Sequence, residues 1–331
     1  MNNRRTFLKQ AGIGMAAAYL SPSLLASCAP QRKSTATLTE IGLQLYTLRD
    51  QVATNAVATI ARVAEIGYNH VETFDALIGD DGKVTFWGLD AQTLSSHLSD
   101  HHLKTYSGHY DLGAFLTPGD GNQDALKAYI DTAATLGQHY LIAPVPPILL
   151  IDTLTPDNYR FMADQLNSGG ELAARSGLKI GYHNHFWEFR TLADGSRGMD
   201  ILLENTDKEL VAFELDLFWS EKSETDSAAY FEKYPGRFPL WHIKDMDQHH
   251  SETIIGGDYD TKPFMEIVDS ITYAEVGTGS IDFKHIMDEA KTAGLQYAFV
   301  EQDVIMIPPF ESIAQSYRYV KNELLESSET P

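Results

Sequence analysis

From position 41 onward, short apolar runs alternate with longer stretches in which apolar residues recur at three- and four-residue spacing. The short runs predict strands at 41–46, 68–73, 104–107, 140–143, 179–183, 210–215, 240–243 and 297–300. The periodic stretches predict helices near 52–66, 91–101, 123–136, 156–176, 198–204, 227–234, 283–293 and 310–325. Several helix ends share one punctuation, a glycine with the next strand beginning a few residues later: Gly67, Gly137, Gly177 and Gly294. Glycine there supplies the left-handed residue that closes a helix. Strict strand–helix alternation predicts an α/β fold, a single closed parallel (β/α)8 barrel over 41–326, with a short tail at 327–331. A doubly wound open sheet is the competing architecture. It usually carries a glycine-rich turn after its first strand, and here Leu45-Tyr46-Thr47-Leu48-Arg49-Asp50 contains no glycine.

Charge and the N-terminal segment narrow the picture. The 331 residues carry a formal net charge of −21. Residues 1–28 hold Arg4, Arg5 and Lys9 and no acid, so their removal leaves 22 basic against 46 acidic residues, near −24. Such a surface repels phosphate backbones and argues against nucleic acid as a partner. The order Arg4-Arg5-Thr6-Phe7-Leu8-Lys9, followed by an apolar stretch to Leu25, reads as a twin-arginine signal peptide, too short and broken for a membrane span. Leu25-Ala26-Ser27-Cys28 resembles a lipobox, and Cys28 is the sole cysteine. The expectation is export to the periplasm, membrane attachment only through a lipid on Cys28, and a polar tether over 29–40. A lone cysteine behind a simple signal peptide is the plainer alternative.

Barrel chemistry collects at the C-terminal ends of strands. Those ends carry Gln44; Glu72; His109; His183, His185 and Glu188; Asp216; His242 and Lys244; and Glu301. His183 and His185 share a face, being two apart in an extended segment. A lone acid such as Glu72 serves equally well as a helix cap. The combination is more specific than its parts. Histidine, aspartate, histidine and glutamate at the ends of strands five to eight converge on one point, and mixed imidazole–carboxylate donors suit one divalent Mn²⁺, Zn²⁺, Co²⁺ or Fe²⁺ ion. Trp187, Phe218 and Trp219 are candidates to wall the apolar face of a bound ring, with plain core packing as the alternative; Trp241 points opposite to His242 and reads as core.

On these residues the sequence resembles the xylose-isomerase-like TIM-barrel superfamily, in its sugar phosphate isomerase/epimerase branch. The segments that carry the likeness are Gly42-Leu43-Gln44-Leu45-Tyr46-Thr47-Leu48-Arg49, Gly181-Tyr182-His183-Asn184-His185 with Glu188, Leu215-Asp216 with Trp219, His242-Ile243-Lys244-Asp245, Glu275-Val276-Gly277-Thr278-Gly279, and Glu301. The resemblance implies metal ligands at His183, Asp216, His242 and Glu301, with His185 as the alternative on strand five. It implies substrate contacts near Glu72, His109 and Lys244, and proton abstraction beside the carbonyl of a keto-sugar through an enediolate. Glu301 or His185 would remove the proton, Lys244 would meet the developing oxyanion, and Gln44, Glu188 and Trp219 would line the substrate. Keto-sugar epimerases of this branch place a glutamate on each face of the substrate. The histidine on strand five departs from that pattern, so isomerisation, dehydration and β-elimination stand beside epimerisation. A non-catalytic carbohydrate-binding lipoprotein is the reading from another class.

Overall fold

The computed structural model describes residues 38–119 and 121–325. The segment read as a signal peptide with Cys28, most of the expected tether and the tail at 327–331 therefore lie outside the described residues. Eight parallel strands close into a barrel in the order β1-β8-β7-β6-β5-β4-β3-β2. They are β1 (Gly42–Gln44), β2 (His70–Thr73), β3 (Lys104–His109), β4 (Tyr140–Ala143), β5 (Lys179–His183), β6 (Val211–Asp216), β7 (Leu240–Ile243) and β8 (Tyr297–Val300). The seam pairs Gly42 with Phe299 and Leu43 with Val300. The main helices are α1 (Arg49–Ile66), α2 (Ala91–Asp100), α3 (Asp124–Leu136), α4 (Pro156–Ala174), α5 (Gly198–Asn205), α6 (Ser227–Lys233), α7 (Phe283–Met287, continued by Ala290–Ala293) and α8 (Pro309–Tyr319). The glycines predicted to end helices, Gly67, Gly137, Gly177 and Gly294, all have positive φ. No described helix is long and apolar enough to cross a membrane.

Alternation along the strands sorts the side chains. Trp241 faces outward, stacked on Phe231 at 4.7 Å between centroids, while His242 beside it faces in. The lower barrel interior is filled by Tyr140, Ile142, Ala212, Leu240 and Phe299. His70 sits there, 1 % exposed, edge-on to Tyr106 and Phe299, and neither ring nitrogen meets a polar side chain. Gly42 permits this packing: a Cβ at that position would stand 2.4 Å from the His70 ring.

Burial pulls the His70 imidazole down to about 4. In the unfolded chain it titrates near 6.5. The unfolded state therefore binds a proton first, so the contribution of neutral His70 is complete above pH 6.5 and is lost as pH falls from 6.5 toward 4. The gap corresponds to about 3 kcal/mol. His70→Leu is expected to flatten the acid limb of a stability-versus-pH curve in that window. An unchanged limb in denaturant melts at pH 4.5 and 7 would show that His70 is not its source.

Above the strands the loops are structured. Ala76–Ile78, Val84–Phe86 and Leu89–Asp90 form an antiparallel meander after β2. A second apolar cluster, with Phe186, Trp187, Phe218, Trp219, Met246 and Ile267 among its members, joins the loops that follow β5, β6 and β7. The long β7–α7 connection is folded back on itself: Asp245–Met246 pairs antiparallel with Tyr273–Ala274. The Asp245 carboxylate accepts the backbone N–H groups of Met246 (2.8 Å), Gly277 (2.9 Å), Gly279 (2.9 Å) and Ile281 (3.2 Å). Asp245→Ala leaves four backbone amides, most of them partly buried, without that acceptor. It is expected to cost several kcal/mol and to raise hydrogen exchange across 273–281 before the barrel strands; uniform exchange would refute its role as the staple of this loop.

Candidate metal centre and active site

The inward ends of β1, β2, β3, β5, β6, β7 and β8 meet in one polar layer above the apolar plug. His242 lies at its middle. Its Nδ1 is 2.8 Å from Glu301 Oε2, and its Nε2 is 2.7 Å from Glu72 Oε2 and 3.2 Å from Glu214 Oε2. His183 turns Nδ1 to Glu214 Oε2 (3.1 Å) and Nε2 toward Asp216 Oδ2 (3.7 Å). His109 Nε2 meets Glu214 Oε2 at 2.8 Å and Glu72 Oε2 at 3.3 Å. Glu72 is held further by the Gln44 amide (2.7 Å) and the Ser107 hydroxyl (2.6 Å), both donating. Lys244 Nζ lies 3.0 Å from Asp216 Oδ2, 2.9 Å from Glu301 Oε2 and 3.0 Å from Asp303 Oδ1. Asp303 also accepts the Tyr273 hydroxyl at 2.8 Å.

Sequence reasoning named His183, Asp216, His242, Glu301, Lys244, Glu72, His109 and Gln44, and the fold brings these into this one layer. His185 stands one ring further out, stacked on Trp187 at 4.3 Å, its Nδ1 buried without a partner. Trp219 is 1 % exposed and sits 5.5 Å beneath the Lys244 ammonium, donating its backbone N–H to Asp216 Oδ1 at 3.0 Å. Glu188 lies behind the site and does not line it. It is fully buried, one oxygen accepts the Tyr182 hydroxyl, and the other accepts the His185 backbone N–H at 2.8 Å. The substrate contact expected for Glu188 gives way to a bracing role beneath the His185 turn, and burial raises its carboxyl to about 7. Glu214, Asp303 and Tyr273 were missed. For Glu214 a signal was present: it is two residues from Asp216 on β6, so both must face the interior.

The electrostatics describe a centre short of positive charge. Glu72, Glu214, Asp216 and Glu301 are all buried, facing one ammonium and a group of imidazoles. Burial raises Asp216 to about 6 despite the attraction of Lys244. Burial, then the charge of Glu214, raises Glu72. Burial would also raise Glu301, but Lys244 and His242 outweigh it and hold that carboxyl well below the usual range. For His242 burial opposes protonation, and Glu214 and Glu301 overcome it, so the ring is drawn well toward the charged form. Burial pulls His183 down to about 3, leaving it neutral. Glu214 Oε1 is buried and receives no hydrogen bond, and Asp216 Oδ2 is met only by the Lys244 ammonium and, at 3.7 Å, by His183 Nε2.

A divalent cation fits this donor set. Asp216, His242 and Glu301 offer donor atoms within 4.8 Å of one another, and so do His109, His183, Glu214 and His242. The remaining nitrogens favour the first arrangement, with His183 Nε2 beside it at 3.7 Å from Asp216 Oδ2. With Nε2 of His183 and Nδ1 of His242 turned to Asp216 and Glu301, the opposite nitrogen of each ring points at Glu214 or Glu72, the usual way a protein fixes a ligating imidazole.

Comparison with known proteins agrees with this architecture. The inosose dehydratase of Geobacillus thermodenitrificans (strain NG80-2) is 26 % identical over 273 residues, covering 75 % of this chain and 89 % of that protein. The structure of a sugar phosphate isomerase/epimerase from Parabacteroides distasonis ATCC 8503 superposes with a TM-score of 0.71 at 24 % identity, over 88 % of this chain and 96 % of that one. The IolI protein, solved with a zinc atom, shares the fold with a TM-score of 0.61 at 15 % identity, over 86 % and 97 % of the two chains. The xylose isomerase-like TIM barrel family matches residues 60–321, and the chain belongs to that family.

Proposed function

We propose that the protein is a metal-assisted enzyme that removes a proton beside the carbonyl of a cyclic polyhydroxy ketone, a keto-sugar or an inosose, and that the outcome is loss of water or of a glycosidic group. The observation that carries this reading is the asymmetry of the site. Lys244 bridges Asp216 and Glu301 on one side, and a histidine, His183, stands on strand five where a two-base epimerase places glutamate. The similarity to an inosose dehydratase supports the same direction. His183, Asp216, His242 and Glu301 would hold one divalent ion, Mn²⁺, Zn²⁺, Co²⁺ or Fe²⁺. When bound, that ion supplies Lewis-acid polarisation of a carbonyl and its neighbouring hydroxyl, worth several kcal/mol. Lys244 donates to the oxyanion that develops, and Gln44 and Ser107 fix Glu72 so that His242 keeps its orientation.

Elemental analysis of purified protein, followed by an inosose and a 3-keto-glucoside as substrates, tests the reading. One transition-metal ion per chain and release of water or aglycone support it. Interconversion of ketoses without loss of a group makes the enzyme an isomerase or epimerase, and bound sugar with neither metal nor turnover makes it a binding protein. The basic pair Arg4-Arg5 and the Leu25–Cys28 segment support a second proposal, export by the twin-arginine route and lipidation at Cys28. Mass spectrometry of membrane-extracted protein tests it; an unmodified thiol on a soluble chain would overturn the anchor.

A further inference from the structure

We propose that His109 is the group that takes the proton from carbon and returns it to the departing hydroxyl, an assignment that rests on the enolisation reading above. The geometry resembles a carboxylate–imidazole dyad. A carboxylate can only accept, so Glu214 Oε2 at 2.8 Å, with Glu72 Oε2 behind it at 3.3 Å, fixes the N–H on Nε2. The lone pair then lies on Nδ1, which takes part in none of the site's hydrogen bonds and is not among its enclosed unpartnered atoms. The His109 side chain is 11 % exposed, against 2 % for His183 and 0 % for His242, so of these three imidazoles it is the one most open to the barrel mouth. Its ring lies nearly parallel to that of His242, 5.3 Å away with 16° between planes, which limits its rotation.

The other candidates are committed. Glu301 Oε2 lies between His242 Nδ1 (2.8 Å) and Lys244 Nζ (2.9 Å). Glu72 is engaged by Gln44, Ser107 and His242 through its two oxygens. His185 is packed on Trp187, with no carboxylate on either ring nitrogen to fix its tautomer.

The step balances within the chain. The His109 Nδ1 lone pair takes the proton; the C–H pair becomes the new carbon–carbon double bond, and the carbonyl π pair moves to oxygen, where Lys244 donates. The imidazolium so formed lies against Glu214 and Glu72. The enolate then reforms the ketone and expels the β-hydroxyl, which leaves as water with the proton from His109 Nδ1.

The test uses the purified metal-loaded protein with an inosose and methyl 3-keto-glucoside in D2O, following α-carbon deuteration by NMR. His109→Gln should keep its metal, by elemental analysis, and bind the probe within about threefold by calorimetry, while exchange falls at least about 100-fold. His109→Ala with added imidazole should regain part of that exchange, which a purely structural histidine would not allow. Exchange within about tenfold of wild type in His109→Gln, loss of metal together with exchange, or no imidazole rescue would each overturn the assignment. Absence of exchange by the wild type on both probes would instead overturn the enolisation reading itself, and this assignment with it.

Discussion

His242→Ala is expected to strip the barrel of its divalent ion and to lower turnover by about three orders of magnitude or more. Among the imidazoles of the site it is the one that meets three carboxylates. One ring nitrogen faces Glu301 and the other faces both Glu72 and Glu214, all of them buried. Alanine therefore removes a proposed ligand and, at the same time, the positive group that those carboxylates share. Leaving buried carboxylates uncompensated costs about 3–5 kcal/mol, so a fall in melting temperature should accompany the loss of metal. The two effects separate by condition. Saturating Mn²⁺ or Zn²⁺ should not restore turnover, whereas lowering the pH toward 6 should restore part of the stability, because Asp216, raised by burial to about 6, then takes up a proton. A variant that retains stoichiometric metal and wild-type turnover would show that the centre lies elsewhere.

The barrel was legible because its grammar is local. Glycine at the helix ends and short apolar runs after them are read within a few residues. β4, β5, β7 and β8 begin and end where the pattern put them. The same locality explains the misses. The meander over 76–90 uses short, partly exposed strands whose alternation is too brief to register, and its turn sets Trp87 at φ 51, where Asn or Gly is expected. The 246–280 loop is ordered by Asp245, whose amide partners Gly277, Gly279 and Ile281 lie more than thirty residues away. Asp303 reaches Lys244, and Tyr273 reaches Asp303 from a separate segment, a meeting that no spacing rule predicts. The strand-end residues fared better, because a closed barrel sends every inward side chain to one axis. What that rule leaves open is depth: Glu188 and Glu214 are both acids near strand ends, yet one braces a turn from behind and the other sits at the centre.

Glu214→Gln is the variant that separates the holding of metal from the chemistry performed on it. One oxygen of Glu214 gathers His109, His183 and His242 at 2.8, 3.1 and 3.2 Å. Burial alone would raise this carboxyl; the charge of His242, with hydrogen bonds from the imidazoles, instead holds it well below the usual range. As an anion it accepts only, so it sets His183 with the proton on Nδ1 and the lone pair on Nε2, facing Asp216. Glutamine keeps the shape but loses the charge, and its amide nitrogen can meet an imidazole donor only by repulsion. Metal affinity should fall about 10–100-fold, read by competition with a chelator of known strength. Because all four proposed ligands remain, saturating metal should refill the site, yet turnover should stay low, because the amide no longer fixes the N–H on His109 Nε2 as the dyad requires. The fold should tolerate the change, since the variant removes one of two carboxylates that share the same nitrogen of His242. Unchanged affinity would mean that the imidazoles are fixed by packing alone. Turnover fully restored by saturating metal would instead limit Glu214 to holding the ligands and would count against the His109 dyad it anchors.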